Sequence, residues 1–474
     1  MKVQGELGEG YGTYFALLNL SAILNIALDF GIGNFNNRKV AANPGRYSNY
    51  FQNISIIRLF LAVGYTVLLQ LIGLLLGYDN QELYLLFILG VCQVFLSSLL
   101  YVRSNFTAFG KFKLDSVFSV LDRFLMIGGV VYLMYYSSGV DVNIENFIFV
   151  QFYGYGISLV LGITALVFIE KTPYPKLNKR FAKVLIRKSA PYALIVVLMA
   201  AYHYSDSIMI ERMLEDGKYQ NALYAQSFRV LMALNNYAYL FAVLLLPMFS
   251  KMLSKKESIQ SLIGVSSSLL IYGVSAISIL LFYFAKDVIT VCYGDFGDAS
   301  VFINEKLNLT GVLNNQEIND SVEIFTILIL GIIPMSINYC FGTLITASGN
   351  MKLLNKVAFI SLVLNVILNF ILIPKFGAFG AALSSISTQG VSGVVQVLFA
   401  INMFKLKINY NSLIRFVVGV LVFVFGLQFN AYFDLVLRLL YLSLLGVFSL
   451  FISVNFAGII KMAKDLKQGV SEIG

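Results

Sequence analysis

Apolar segments of roughly membrane-spanning length follow one another from end to end of this chain, and Lys and Arg collect in every second gap between them. About 20 apolar residues cross a hydrocarbon core as a helix, and only helices or closed barrels satisfy their backbone hydrogen bonds there. Barrel strands would alternate polar and apolar residues over about 10 positions, whereas these segments are continuously apolar. At 58% hydrophobic and 12% charged residues the chain is also too apolar for soluble domains. The expectation is an all-α, polytopic membrane protein. Its helices fall near 13–33, 54–77, 83–103, 114–136, 144–169, 190–213, 220–249, 259–285, 322–347, 354–373, 377–403, 412–430 and 435–458, about thirteen in all.

The net charge of +9 does not point to nucleic acid, because the basic residues sit in short alternate loops beside helix ends. Arg38, Lys39 and Arg46, then Arg103, Lys111 and Lys113, then the run from Lys171 to Lys188, mark cytoplasmic loops, and Lys251, Lys352, Lys405 and Lys461 continue the series. The intervening loops carry Asp79, Glu82, Asp141, Glu145, Glu215, Asp216 and Asp295, and face outward. The cytoplasmic set is also suited to anionic lipid headgroups. Three widely spaced cysteines and one histidine support neither a disulfide framework nor a multi-His metal centre. The absence of a G-x-x-x-x-G-K-[ST] loop leaves no recognisable ATPase, so transport would draw on a gradient or a partner. No cofactor is expected. The outward loop between Lys286 and Val322 is the only place for an extramembrane enzyme, and it is too short for a glycosyltransferase domain.

Similar stretches recur in the same orientation. The turn Ala108-Phe109-Gly110-Lys111 is echoed by Ala347-Ser348-Gly349-Asn350 about 239 residues on, each after an inward-going helix. Such repeats suggest two parallel bundles of the alternating-access type. The expected divisions are an N-terminal lobe over 1–169, a basic linker over 170–189, a C-terminal lobe over 190–403 and two appended helices with a tail over 404–474.

Ionisable residues within a span cost roughly 2.5–3.5 kcal/mol on insertion scales, so each is expected to face a cavity, a partner or an interface. His203 and Asp206, three residues apart, share a helix face, with Arg229, Asn235 and Asn236 on the next helix. A guanidinium can hold phosphate oxygens bidentately, and a His or Asp can titrate. Asp122 and Arg123 lie mid-helix about 100° apart, so only one faces a cavity. Asn19, Asn25 and Asp29 on the first helix are spaced near helical turns, Asp29 closest to the cytoplasm, and are candidates to line a cavity. Arg58, near a cytoplasmic end, is expected to snorkel. Pro334, the most interior proline, marks a kink that could serve as a hinge.

Leu7-Gly8-Glu9-Gly10-Tyr11-Gly12, the helix end Asp29-Phe30-Gly31-Ile32-Gly33, the stretch from Ala222 to Pro247, the turn Ala347 to Asn350, and the run from Asn365 through Pro374 to Ala382 together resemble the polysaccharide-biosynthesis flippases. These are the Wzx-type transporters of O-antigen and capsule repeat units, in the superfamily that also holds multidrug and lipid II exporters. The resemblance covers nearly the whole chain. It implies a V-shaped pair of six-helix lobes in a bacterial cytoplasmic membrane, moving a polyprenyl-diphosphate-linked oligosaccharide by alternating access. Under that resemblance Arg229 is the candidate for the diphosphate and Asp206 and His203 for ion coupling; Asn235, Asn236, Asn25 and Arg123 join the candidate substrate-binding residues, and Asp29 the ion-coupling ones, from their placement in the spans. Implied partners are the polyprenyl-linked glycan, membrane lipids, a glycan polymerase and a chain-length regulator. In such proteins the Leu-Gly-Glu-Gly-Tyr-Gly element follows a first helix, so one further upstream helix is expected. The competing readings are a multidrug or small-molecule exporter of the same fold and a membrane-embedded enzyme of glycan assembly.

Overall fold

A computed structural model describes residues 6–25, 28, 47–135, 144–169, 179–293, 315–407, 410–429 and 435–453. Among them the regular structure is helical: α1 (Glu6–Leu24), α2 (Tyr47–Leu75), α3 (Asn80–Ala108), α4 (Phe112–Tyr135), α5 (Ile144–Ile169), α6 (Lys179–Met213), α7 (Gly217–Ser254), α8 (Gln260–Tyr283), α9 (Ala285–Tyr293), α10 (Asn315–Leu330), α11 (Ile332–Ala347), α12 (Met351–Phe404), α13 (Tyr410–Leu427) and α14 (Leu435–Ser453). Eight stretches, among them α3, α5, α8 and α12, are long and apolar enough to cross a membrane. The all-α membrane fold expected from the hydropathy pattern is what forms.

Three segments differ from expectation. The first helix begins at Glu6, so the Leu7 to Gly12 element is helical. The loop after Lys286 opens with α9. The basic segment over 170–189 is helical from Lys179 onward, as part of α6, and α6 packs on α1.

The described chain divides into two compact units, one within Met1–Ala222 and the other within Leu223–Asp295 and Leu313–Gly474. The division falls inside α7. It does not fall at the basic segment, because α6 packs on α1 and α2 in the first unit.

In unit 1, α3 is the central helix, packed on α1, α2, α4 and α5. Its start is fixed by a capping box: Asp79 accepts from the Glu82 N–H at 2.8 Å, and Glu82 accepts from the Asp79 N–H at 3.0 Å. The glycine-rich start of α1 has a packing reason. Gly12 lies against the Lys218 carbonyl at the start of α7, where no side chain fits. Asn221 donates to the Gly12 carbonyl across that contact at 2.7 Å.

In unit 2, α8 takes the central role, packed on α10, α11, α13 and α14. Leu245, Phe249, Leu262, Leu270, Cys340 and Leu344 form its densest apolar core. Near Pro334 the helix assignment is interrupted for one residue, Gly331, between α10 and α11, with Gly331 itself in helical conformation (φ −60°, ψ −21°). Pro334 has no N–H to offer the Leu330 carbonyl, so one bond of the helical ladder is missing there. α12 comprises the two helices expected over 354–373 and 377–403. The chain reverses at Gly377, with φ +58°, and Gly380 lies against the Leu372 carbonyl. A continuous helix would hold those two residues about 12 Å apart.

The echoing turns share one backbone conformation. Gly110 and Gly349 have φ of +70° and +79° and each closes a helix by donating to a threonine carbonyl three residues back. Gly12→Ala is expected to cost about 1–3 kcal/mol through overpacking. The control Gly64→Ala, whose added Cβ meets nothing within 4 Å, gains about 0.5–1 kcal/mol. Thermal unfolding of the purified protein in detergent checks both; equal melting temperatures would remove the close-approach explanation.

Candidate functional site

Two polar arrangements stand out, one inside unit 1 and one on a helix face of unit 2. In unit 1, side chains from four helices meet in the membrane-spanning interior. Asn25, just past α1, donates to Gln93 Oε1 of α3 at 2.6 Å, and Gln93 donates back to Ser21 Oγ at 3.4 Å. Tyr65 of α2 donates to the Ser21 carbonyl at 3.0 Å. Gln151 of α5 donates to the Tyr14 hydroxyl of α1 at 2.7 Å. Such cross-helix bonds are what polar side chains in lipid require.

Asp122 of α4 is buried beside this network, 6% exposed. Tyr155 of α5 lies within electrostatic reach of both Asp122 and Tyr14. α4 and α5 approach closely here because Gly154 has no side chain to meet Met126 and the Asp122 carbonyl. One carboxylate oxygen of Asp122, Oδ1, has no hydrogen-bond partner among the described residues. A buried carboxylate oxygen of that kind is a place for a cation.

The structure also resolves which of the neighbouring pair turns inward. Asp122 is buried and Arg123 is exposed, as their angular separation requires.

Arg58 departs from the snorkelling expectation. It is buried, donates to both the carbonyl and the hydroxyl of Ser97 at 2.6 Å, and lies 5.1 Å from the Tyr101 ring centroid. At the end of α3, Arg103 pairs with Asp115 at 2.7 Å, both part-exposed.

In unit 2, the polar arrangement belongs to α7. Arg229 and Asn236 are exposed, seven residues apart and therefore on one face. Asn235 turns the other way and is buried. The Tyr293 hydroxyl lies within electrostatic reach of Arg229 and donates to the Gln226 carbonyl at 3.3 Å. A second amide network braces this unit: Asn338 donates to Gln389 Oε1 at 2.9 Å, and Gln396 donates to Asn338 Oδ1 at 2.9 Å.

Of the remaining sequence-derived residues, Asp206 is buried and His203 half-buried between the rings of Tyr202 and Tyr204. His203 and Asp206 belong to unit 1 and Arg229 to unit 2. Asp29 lies outside the described residues. Gln93, Gln151, Tyr155 and Ser97 escaped sequence reading, since neutral polar residues in apolar helices carry no local signal of what they face. Among the described residues no group of His, Cys, Asp and Glu is arranged to hold a metal ion.

A family model described as polysaccharide biosynthesis protein matches residues 8–253. The chain belongs to that family. No curated protein matches it. Among solved structures it is similar to the lipid II flippase MurJ in an inward closed conformation, with a TM-score of 0.66 and 15% identity, covering 97% of each chain. It is similar also to an inward-facing multidrug resistance MATE family transporter of the MOP superfamily, with a TM-score of 0.61, 14% identity, and 85% of this chain and 95% of that one covered. A MOP superfamily transporter from Pyrococcus furiosus gives a TM-score of 0.55 at 14% identity, covering 84% of this chain and 87% of that one. This member of the polysaccharide biosynthesis family is thus a multi-pass membrane protein with the fold of the MOP-superfamily transporters.

Two substitutions separate the buried charges by what surrounds them. Asp122→Asn is expected to melt at or above the parent temperature, because a neutral amide removes the cost of a buried, incompletely bonded carboxylate. Arg58→Met is expected to lose about 1.5–3 kcal/mol with its charged hydrogen bonds. Melting in detergent checks them; a strongly destabilised Asp122→Asn would mean that the carboxylate is a structural partner.

Proposed function

We propose that this protein is a flippase that translocates a polyprenyl-diphosphate-linked oligosaccharide across a bacterial cytoplasmic membrane by alternating access. Family membership supports the glycan pathway. The observation that carries the reading is the exposed face of α7, where Arg229 and Asn236 stand on one side of a helix long and apolar enough to cross a membrane. Arg229 holds the diphosphate through its planar fork of donors, and Asn236 offers an amide to sugar hydroxyls. Asp122 is the favoured site for the coupling cation, with Asp206 and His203 as the residues next in line.

The chemistry suits the cargo. The lipid-linked substrate keeps its polyprenyl chain in the bilayer, so the protein needs only to shelter the charged diphosphate and the sugars from hydrocarbon. An arginine beside water lowers the cost of moving the two phosphate charges. No bond is made or broken in this step. A glycan polymerase and a chain-length regulator are the natural partners downstream.

In the host, deletion of the gene is expected to abolish surface polysaccharide and leave lipid-linked repeat units on the cytoplasmic leaflet. Arg229→Ala is expected to lose export with normal protein abundance, and Asp122→Asn to slow it by at least tenfold. Unchanged surface glycan in the deletion strain would favour the small-molecule exporter reading; full export by Arg229→Ala would remove that residue from the mechanism.

A further inference from the structure

At the end of unit 1 that the loop charges assign to the outside, the corner joining α2 to α3 meets the corner joining α6 to α7. Tyr78, in the first corner, donates its hydroxyl to Glu211 Oε2 at 2.8 Å. Arg212 donates to the Gly77 carbonyl at 3.5 Å, and its guanidinium lies over the Tyr78 ring, 3.6 Å from the centroid. These contacts put the last turn of α6 level with a turn beyond the end of α2, outside the membrane-spanning run.

The two carboxylates of the cluster are not equivalent. Glu82 Oε1 lies 2.8 Å from Lys218 Nζ, and Glu82 Oε2 lies 3.3 Å from Arg212. Both cations are therefore committed first to Glu82. Glu211 has Arg212 Nε only at 3.8 Å, and its side chain is 1% exposed. Its Oε1 has no hydrogen-bond partner among the described residues. A carboxylate so placed has lost its water and gained one phenolic hydrogen bond and one distant charge.

We propose that Glu211 is a proton-binding site on the outward side of unit 1, where uptake of a proton from the aqueous phase firms the packing between the two corners. One proton adds to the carboxylate, and no other bond changes. The groups facing it are Tyr78, Arg212, Glu82 and Lys218. Burial is the dominant cause and pushes the Glu211 carboxyl up to about 7; Glu82 adds to the rise, and the Tyr78 hydrogen bond, Arg212 and Lys218 oppose it. The same burial, with Glu211 beside it, raises the Tyr78 hydroxyl far above its ordinary range, so Tyr78 stays a donor at every physiological pH. None of this depends on the transport reading, since no substrate is involved.

The sign of the effect follows from linkage. The folded-state value lies above that of an unfolded glutamate, about 4.3. The proton's stabilisation is therefore complete below the unfolded value and is lost as the pH rises through about 7.

The test is the melting temperature of the full chain in nanodiscs of neutral lipid, without substrate, across the range from acid to mildly alkaline pH. The parent is expected to lose stability on alkalinisation until the carboxyl has titrated, with a folded-state midpoint near 7, and to change little above it. Glu211→Gln, always neutral, is expected to lack that step and to be the more stable protein on the alkaline side. Tyr78→Phe removes a donor from the anion and should move the midpoint up by about one pH unit. Infrared titration of the parent gives a second reading that no variant's folding can obscure: the band of a protonated buried carboxyl should disappear through the same midpoint. A Glu211→Gln profile that keeps the parent's step, an unmoved midpoint in Tyr78→Phe, or no carboxyl band in the parent would each overturn the assignment. Any of those failures would leave the glycan-transport reading standing.

Discussion

In hydrocarbon a backbone N–H or C=O without a partner costs several kcal/mol, and the rest of this structure follows from that constraint. Every described element is a helix because a helix satisfies its own backbone. The exceptions occur where another device takes over. At Gly377 the chain reverses inside α12, with a glycine in a backbone conformation closed to other side chains. At Gly331 the helix is interrupted for one residue near Pro334, which withholds an N–H. At Gly110 and Gly349 a left-handed glycine closes the preceding helix.

The same constraint governs side chains. Tail-like apolar residues gain nothing by leaving lipid, so the helices of each unit are held by close backbone approach and by polar bonds between helices. Gly12 against Lys218 and Gly154 against Asp122 show the first device. Asn25 with Gln93, Gln151 with Tyr14, and Asn338 with Gln389 and Gln396 show the second. In two places this bonding is incomplete among the described residues. Asp122 Oδ1 and Glu211 Oε1 are buried oxygens with no hydrogen-bond partner among the described residues.

The residues that tie the chain to its family also have physical roles. The small residues of the Leu7 to Gly12 element let α1 meet the start of α7, and the Ala347 to Asn350 turn supplies both a left-handed glycine and an asparagine cap for α12, whose Leu353 N–H it accepts at 3.4 Å. Sequence similarity at these positions therefore reports packing and chain reversal. It does not report the substrate. That distinction explains how a chain can share a fold with lipid and drug transporters at about 15% identity while its cargo is argued from side chains such as Arg229.

The sequence by itself determined the helical membrane class, the order of the spans and the alternation of loop charge, because hydropathy and basic-residue placement are local and additive along the chain. It also anticipated that Asp122 and Arg123 diverge, since 3.6 residues per turn requires it. It did not determine which of them is buried, that Arg58 turns inward to Ser97, or that the glutamate at the end of α6 meets a tyrosine 133 residues away. Nor did it place the division between the compact units, which falls inside α7 and leaves α6 in the first of them. Those are decided by which helices pack together, and in a chain whose helices are nearly all apolar, one local sequence looks much like another until a neighbour gives it a face.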